Sequence, residues 1–199
     1  MKNWLNDIEL KGDNILLTPI NITHKNALVE AASDGKLWEL WFTSVPSEKT
    51  IEDYILNAIK QCDSGEGFPF IVIDKKTSQI IGSTRYCNAS PENRRLEIGY
   101  TWYASKHQRT GVNTECKYLL LKYAFETLNC IAVEFKTNWY NIKSKEAITR
   151  LGAKLDGILR NHRISPDGSL RDTVIYSIIN QEWASVEKSL AYKMSKYNG

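Results

Sequence analysis

One stretch of this chain combines residue types and spacing suited to holding a charged ligand. Tyr100-Thr101-Trp102-Tyr103 reads as the end of a strand, and Gln108-Arg109-Thr110-Gly111-Val112-Asn113-Thr114 as the loop that opens the longest helix. A helix start leaves its first backbone N–H groups without intrahelical partners, and they point at whatever anion sits there. Gly111 lets the backbone approach phosphate oxygens with no Cβ in the way. Lys106 and Arg109 add full positive charge, and Thr110 or Thr114 a hydroxyl, so the junction suits a pyrophosphate. Neither a P-loop nor a G-x-G-x-x-G fingerprint competes for the segment. Metal chemistry is not expected. His24, His107 and His162 are scattered, and Cys62, Cys87, Cys116 and Cys130 lack C-x-x-C spacing and lie in apolar stretches, as buried free thiols do.

The elements that must position this junction follow from periodicity. Residues 15–20 form a short apolar strand, and Asn21-Ile22-Thr23 supplies caps for a helix over roughly 24–33. Trp38, Trp41 and Phe42 follow, then a helix with apolar positions Ile51, Tyr54, Ile55, Ala58 and Ile59 that ends at Gly65. Residues 68–74 and 80–86 flank a turn as a hairpin, and 95–103 make a third strand. From Gly111 the spacing of Val112, Cys116, Leu119, Leu120, Tyr123, Ala124 and Leu128 predicts one long helix to about Asn129. A strand at 131–137, a helix from Ser144 to Leu151 closed by Gly152, and two strands around Pro166-Asp167-Gly168 complete the core. The segment from about 181 reads as a helical tail. The order predicts a single α/β (α+β) domain over 1–199, with a mixed, mostly antiparallel sheet of about seven strands flanked by about four helices.

Motif and order together resemble the GNAT superfamily of N-acetyltransferases from about residue 14 to about 186. Gln108-x-x-Gly111-x-Asn113 is similar to that family's Q/R-x-x-G-x-G/A acetyl-CoA loop, with Asn113 departing at the last position. Leu96-Glu97-Ile98-Gly99-Tyr100-Thr101-Trp102 resembles its central strand, and Asn141-x-x-Ser144 with Arg150-Leu151-Gly152-Ala153 its N-x-x-S…L-G-A/F segment. The ending Asp167-Gly168…Arg171-Asp172-Thr173-Val174-Ile175-Tyr176-Ser177 is similar to the RimJ/RimL-type branch, named for enzymes that acetylate N-termini of ribosomal proteins.

The resemblance implies acetyl-CoA held by residues 108–114 and by Tyr100, Thr101 and Trp102, where a backbone N–H near 100–102 would take the oxyanion. It implies Asn141 on the pantetheine arm and Ser144 on the sulfur. These two are also residue types that cap any helix. Where many members carry a tyrosine general acid this chain has Ile148. Glu97 is the candidate base, acting directly or through a water, with His107 and Glu134 behind it; equally, Glu97 could be a strand carboxylate paired with Arg94, Arg95 or another base. Trp38, Trp41 and Phe42 are candidates for the acceptor floor, or core aromatics. Glu30, Asp34, Glu39 and Glu48 could draw in a cationic amine, or simply be solvated.

Bulk properties agree with this picture. Of 199 residues 26 are Lys or Arg and 23 Asp or Glu, a net +3 with signs interspersed, which gives no ground for nucleic-acid binding. No apolar run approaches a membrane span and the first residues lack a secretory signal, so a cytoplasmic location is expected. The expected activity is acetyl transfer to a primary amine, either a peptide N-terminus or a small molecule. The alternatives are a non-catalytic acyl-CoA-binding sensor and, on charge and aromatics alone, an RNA-binding protein. The hydrophobic C-terminal strands suggest a homodimer.

Overall fold

The protein, described here from a computed structural model over residues 4–165 and 167–197, is built on one eight-stranded sheet. Its strands are β1 (Leu10–Lys11), β2 (Ile15–Pro19), β3 (Phe68–Asp74), β4 (Gln79–Ser90), β5 (Arg95–Tyr103), β6 (Ala132–Asn138), β7 (Lys154–Ile164) and β8 (Leu170–Ile179). In space they run β1-β2-β3-β4-β5-β6-β8-β7. Every adjacent pair is antiparallel except β5 with β6. That parallel pair is in register only from Arg95–Ala132 to Glu97–Glu134, although both strands continue, so they diverge into a wedge beyond Glu97.

Helices cover both faces. On one, α1 (Lys25–Ser33) and α2 (Ile51–Asp63) bury Leu28, Ile51, Ile55 and Ala58 against Ile71 and Trp102. On the other, α3 (Val112–Lys122), α4 (Ile142–Leu151) and α5 (Asn180–Ser195) bury Cys116, Leu120, Ile148, Leu151 and Trp183 against Tyr86, Ile98 and Phe135. Fully burying each of the leucine and isoleucine side chains among these is worth about 1.5–3 kcal/mol, which fixes the sheet between two dry layers. Glu115 on α3 accepts from the backbone N–H of Asn14 (2.8 Å) and from its amide Nδ2 (3.0 Å), tying the long helix to the start of β2. Gly12 leaves the room for it, since a Cβ there would lie 2.1 Å from a Glu115 oxygen.

The mixed, mostly antiparallel sheet and the flanking helices, in their order along the chain, match expectation, with informative differences. The extra strand, β1, has two residues, too few to leave a periodic signature. The helical tail makes the fifth α-helix. The first helix starts at Lys25 after a 3-10 turn, Ile22–His24, capped by the Asn21 side chain. The long helix is α-helical only to Lys122 and continues as a π turn, Tyr123–Thr127, before Asn129 turns the chain at φ +53°. A π turn preserves the apolar side of a helix closely enough that spacing alone does not distinguish it. Of the turn Pro166-Asp167-Gly168, Pro166 lies outside the described residues. Cys87, Cys116 and Cys130 are buried free thiols, while Cys62 is half-buried.

Candidate active site

The wedge between β5 and β6 is opened by the backbone of β5. Glu97 and Gly99 lie opposite Cys87 and Arg85 of β4, and the register then slips between Ser83 and Arg85 while Tyr100 adopts φ +50°. An extra residue in one strand is a β-bulge, and a side chain held at left-handed φ costs of order 1–3 kcal/mol, a combination that re-aims side chains. Tyr100 consequently packs on the same face as Arg85, whose guanidinium carbon lies 4.1 Å from the Tyr100 ring centroid. Thr101 turns to the opposite face and meets Thr84 (2.8 Å) and the Lys117 ammonium (2.5 Å). Past Glu97 the β6 side of β5 has no strand partner among the described residues, so backbone groups of 100–102 on that side face the wedge.

Glu97 is buried at the root of the wedge. Its carboxylate accepts from Asn88 Nδ2 (2.7 Å) and pairs with Lys136 (3.1 Å) on β6. Its ion-pair partner is therefore Lys136, and Arg95 goes instead to Glu134 (2.6 Å), which also meets Lys136 (3.2 Å). Burial alone would raise the Glu134 carboxyl, but Arg95 and Lys136 outweigh it and hold the group below the usual range. The Lys136 ammonium, despite burial, is held above its ordinary value by Glu97 and Glu134. His107 lies apart from this cluster, in the 3-10 turn Ser105–His107 beyond the far end of β5.

At that far end the loop into α3 is firmly tied. Gln108 donates to the Tyr103 carbonyl (3.0 Å), Thr110 donates to the His107 carbonyl (2.7 Å), and Arg109 turns the chain at φ +61°. Asp34, at the end of α1, accepts from the Lys106 amide (2.9 Å) through its carboxylate and from the Ser105 amide through its carbonyl. The Val112 amide reaches Thr110 Oγ1 (3.3 Å), whereas those of Gly111, Asn113 and Thr114 have no acceptor among the described residues. These are donors of the kind a phosphate group takes up at a helix start. Gly111 has helical φ −66°, so its backbone does not demand glycine; a Cβ there would instead lie 3.1 Å from the side chain of Tyr197, just beyond α5. The missing side chain at 111 thus also makes room for the C-terminal segment.

On the other side of the wedge Asn141 caps α4, accepting from the Ser144 amide (3.1 Å), while the Ser144 hydroxyl has no partner among the described residues. Ile148, a turn further on, is buried in the core. The three candidate aromatics separate. Trp38 packs against the α1/α2 core, whereas Trp41 is 64% exposed and meets Phe42 edge-on (5.5 Å) and Tyr140 at a tilt (5.6 Å), bridging the α1–α2 loop to the β6–α4 loop. Of the nearby acids, Asp34 serves the α3 loop and Glu39 lies near Lys36 on the surface (3.9 Å). Arg85, Lys117 and Lys136, to which periodicity had given no role, meet Tyr100, Thr101 and Glu97 of β5, and Tyr54, read only as an apolar helix position, packs on Arg85 and Tyr100. For these three cations the signal was charge drawn largely out of water, visible once burial was known.

The family description Acetyltransferase (GNAT) domain matches residues 14–154. An uncharacterized N-acetyltransferase, p20 of Bacillus licheniformis, is 30% identical over 120 residues, 60% of this chain. YdaF of Bacillus subtilis (strain 168), provisionally named a ribosomal N-acetyltransferase, is 33% identical over 104 residues, 52% of this chain. The matched regions span 66% and 56% of the length of these curated relatives. A crystal structure of a GCN5-related N-acetyltransferase from Brucella melitensis superposes with a TM-score of 0.86 at 26% identity, covering 96% of this chain and 86% of that one. Sheet order, the parallel-pair wedge and the matched residues together place the chain in the GNAT acetyltransferase family.

Proposed function

We propose that this protein is an acetyl-CoA-dependent N-acetyltransferase of the RimJ/RimL-type branch, acting as a single domain on a primary amine of a peptide N-terminus or a small molecule. The observation that carries the reading is the unpartnered amides of Gly111, Asn113 and Thr114, set at the end of the strand whose other end bears Glu97 at the wedge. The amides, with Gln108, Arg109, Thr110 and Val112 shaping their loop, suit the diphosphate. The wedge at Tyr100, Thr101 and Trp102 suits the acyl end. Likeness to YdaF, although over about half of its length, favours a protein amine as acceptor.

In this mechanism the amine lone pair attacks the thioester carbonyl, and a β5 amide near 100–102 stabilises the oxyanion. One such preformed donor is worth about 3 kcal/mol. The C–S bond then breaks, the thiolate departs with a hydrogen bond from Ser144, and Asn141 orients the pantetheine arm. Glu97 receives the amine proton directly or through a water. An α-amino group of pKa about 8 is mostly protonated at neutral pH, so a base matters most there. Cytoplasmic action accords with the described residues, where no helix is long and apolar enough to cross a membrane.

Release of free thiol from acetyl-CoA, followed across N-terminal peptides and small amines, tests the reading. Glu97→Gln is expected to lower kcat by about 100-fold at pH 7 while acetyl-CoA affinity stays within about twofold. Unchanged turnover removes Glu97 from the role. Tight acetyl-CoA binding with no turnover on any amine identifies a non-catalytic acyl-CoA-binding protein instead.

A further inference from the structure

The face of the sheet that carries Glu97 holds more positive charge than its own carboxylates neutralise. Lys136 and Arg95 pair with Glu97 and Glu134, yet two further guanidiniums on this face have no acidic partner among the described residues. Arg85 is only 2% exposed. Its single hydrogen bond is to Gln61 Oε1 (2.9 Å), it lies between the rings of Tyr100 (4.1 Å) and Tyr54 (5.0 Å), and its Nε is buried without a partner. Arg171, on β8, is half-buried, its side chain makes no hydrogen bond or ion pair with any described residue, and its Nε is buried and unpartnered. Burial, with Arg163 adding to it, lowers the Arg171 guanidinium, while Glu97 and Tyr100 are the groups that favour its charge. Arg85 meets the Tyr100 ring directly, and Arg171, two residues from Thr173, which lies opposite Asn138, is by strand register on the face that carries Lys136, the partner of Glu97. The buried Thr173 hydroxyl, two residues from Arg171 and on its face, is a third polar group without a partner.

Cation–π contact returns less to a desolvated guanidinium than is lost by taking it out of water. Full compensation needs an anion, and the planar guanidinium fork fits a carboxylate by two parallel N–H···O bonds. We propose that the acceptor carries a carboxylate a short chain away from its amine, bound by Arg171 and Arg85 beside Tyr100. The inference rests on the acetyltransferase reading, in which Glu97 faces the amine. It adds an anionic group to the acceptor, which the acids on α1 and its following loop, readable either as drawing in a cationic amine or as solvated, do not call for. An amino acid, or a peptide N-terminus with an acidic residue beside it, has the required chemistry.

The test pairs acceptors that differ only in carboxylate against carboxamide: free amino acids with their amides, and N-terminal peptides bearing Asp or Asn at the second position. Turnover is followed by thiol release, and binding to the CoA-loaded protein by calorimetry. The carboxylate member is expected to be preferred by about tenfold or more in one set, with Arg171→Gln reducing the preference below about threefold and leaving acetyl-CoA affinity within about twofold. Arg171→Lys is expected to restore part of it, and Arg85→Gln, checked by thermal melting, to act as Arg171→Gln does. Equal use and equal binding of both members overturns the proposal, as does a preference that survives Arg171→Gln. A loss of acetyl-CoA affinity matching the loss for the acceptor overturns it too, by assigning the arginines to the carrier's phosphates. If acetyl-CoA itself fails to bind, the acetyltransferase reading falls, while acetyl transfer without carboxylate preference removes this inference alone.

Discussion

At the scale of single residues, the groups that define the site are cations withdrawn from water. Lys117 lies beneath the bulge, its ammonium bonded among the described residues only to the hydroxyls of Thr84 (3.2 Å) and Thr101 (2.5 Å), and burial pushes it down to about 8 from an ordinary 10.5. Below about 8 both folded and unfolded chains hold this proton, and the folded one bears the full cost of burying the charge. Between about 8 and 10.5 only the unfolded chain binds it, so stability from this group rises with pH across that window. A difference of that size corresponds to about 3 kcal/mol when the window is fully crossed. Lys117→Met is therefore expected to be more stable than the natural protein at pH 7, by about 1–3 kcal/mol, with the gain shrinking toward pH 10. Urea midpoints at pH 7 and 9.5 check this, and a gain that is absent or independent of pH contradicts the burial argument. The sequence shows Lys117 and Arg85 as ordinary polar letters in a helix and a strand. Lys117's partners come from strands 33 and 16 residues away and Arg85's hydrogen-bond partner, Gln61, from α2, 24 residues away, separations that no local pattern encodes.

At the scale of elements, the sequence was more legible, because an amphipathic period reports which side of an element is dry. The strand, loop and helix of 95–122 were readable for that reason, and the donor site at the helix start followed from the chemistry of any helix terminus. The wedge was not, since it depends on where pairing of β5 with β6 ceases and on Tyr100 adopting a backbone that tyrosine seldom takes. For Gly111 the sequence suggested room for phosphate oxygens, and the neighbour the structure adds at that position is the side chain of Tyr197, just beyond α5. Because residue 111 has helical φ, Gly111→Glu is expected to fold, displacing the Tyr197 side chain, and to weaken acetyl-CoA binding at least tenfold by placing negative charge among amides suited to phosphate, roughly 1.4 kcal/mol or more. Calorimetry at two salt concentrations measures it. Affinity equal to that of the natural protein would separate this helix start from the carrier.

At the scale of the whole molecule, the outermost strand is the feature left unresolved by the monomer. β7 forms one edge of the sheet, eleven residues long and exposed along almost its entire length. Leu155, Ile158, Leu159 and Ile164 on it, with Leu170 on β8, present large apolar side chains to solvent. A long edge with unpaired backbone groups and apolar side chains invites pairing with another edge. Two antiparallel copies of β7 around a twofold axis would extend the sheet across the molecule. The expected solution state is accordingly a homodimer of twice 22.8 kDa, measured by light scattering at about 50 μM, with an interface above about 1,000 Å². Leu155→Lys with Ile164→Lys is expected to yield a folded monomer. Because β8 pairs with β7 and carries Arg171, loosening this edge should raise the KM for acceptor more than that for acetyl-CoA. A monomer in the natural protein, or a dimer indifferent to both substitutions, would place the assembly surface elsewhere and leave the exposed edge as a surface the protein tolerates.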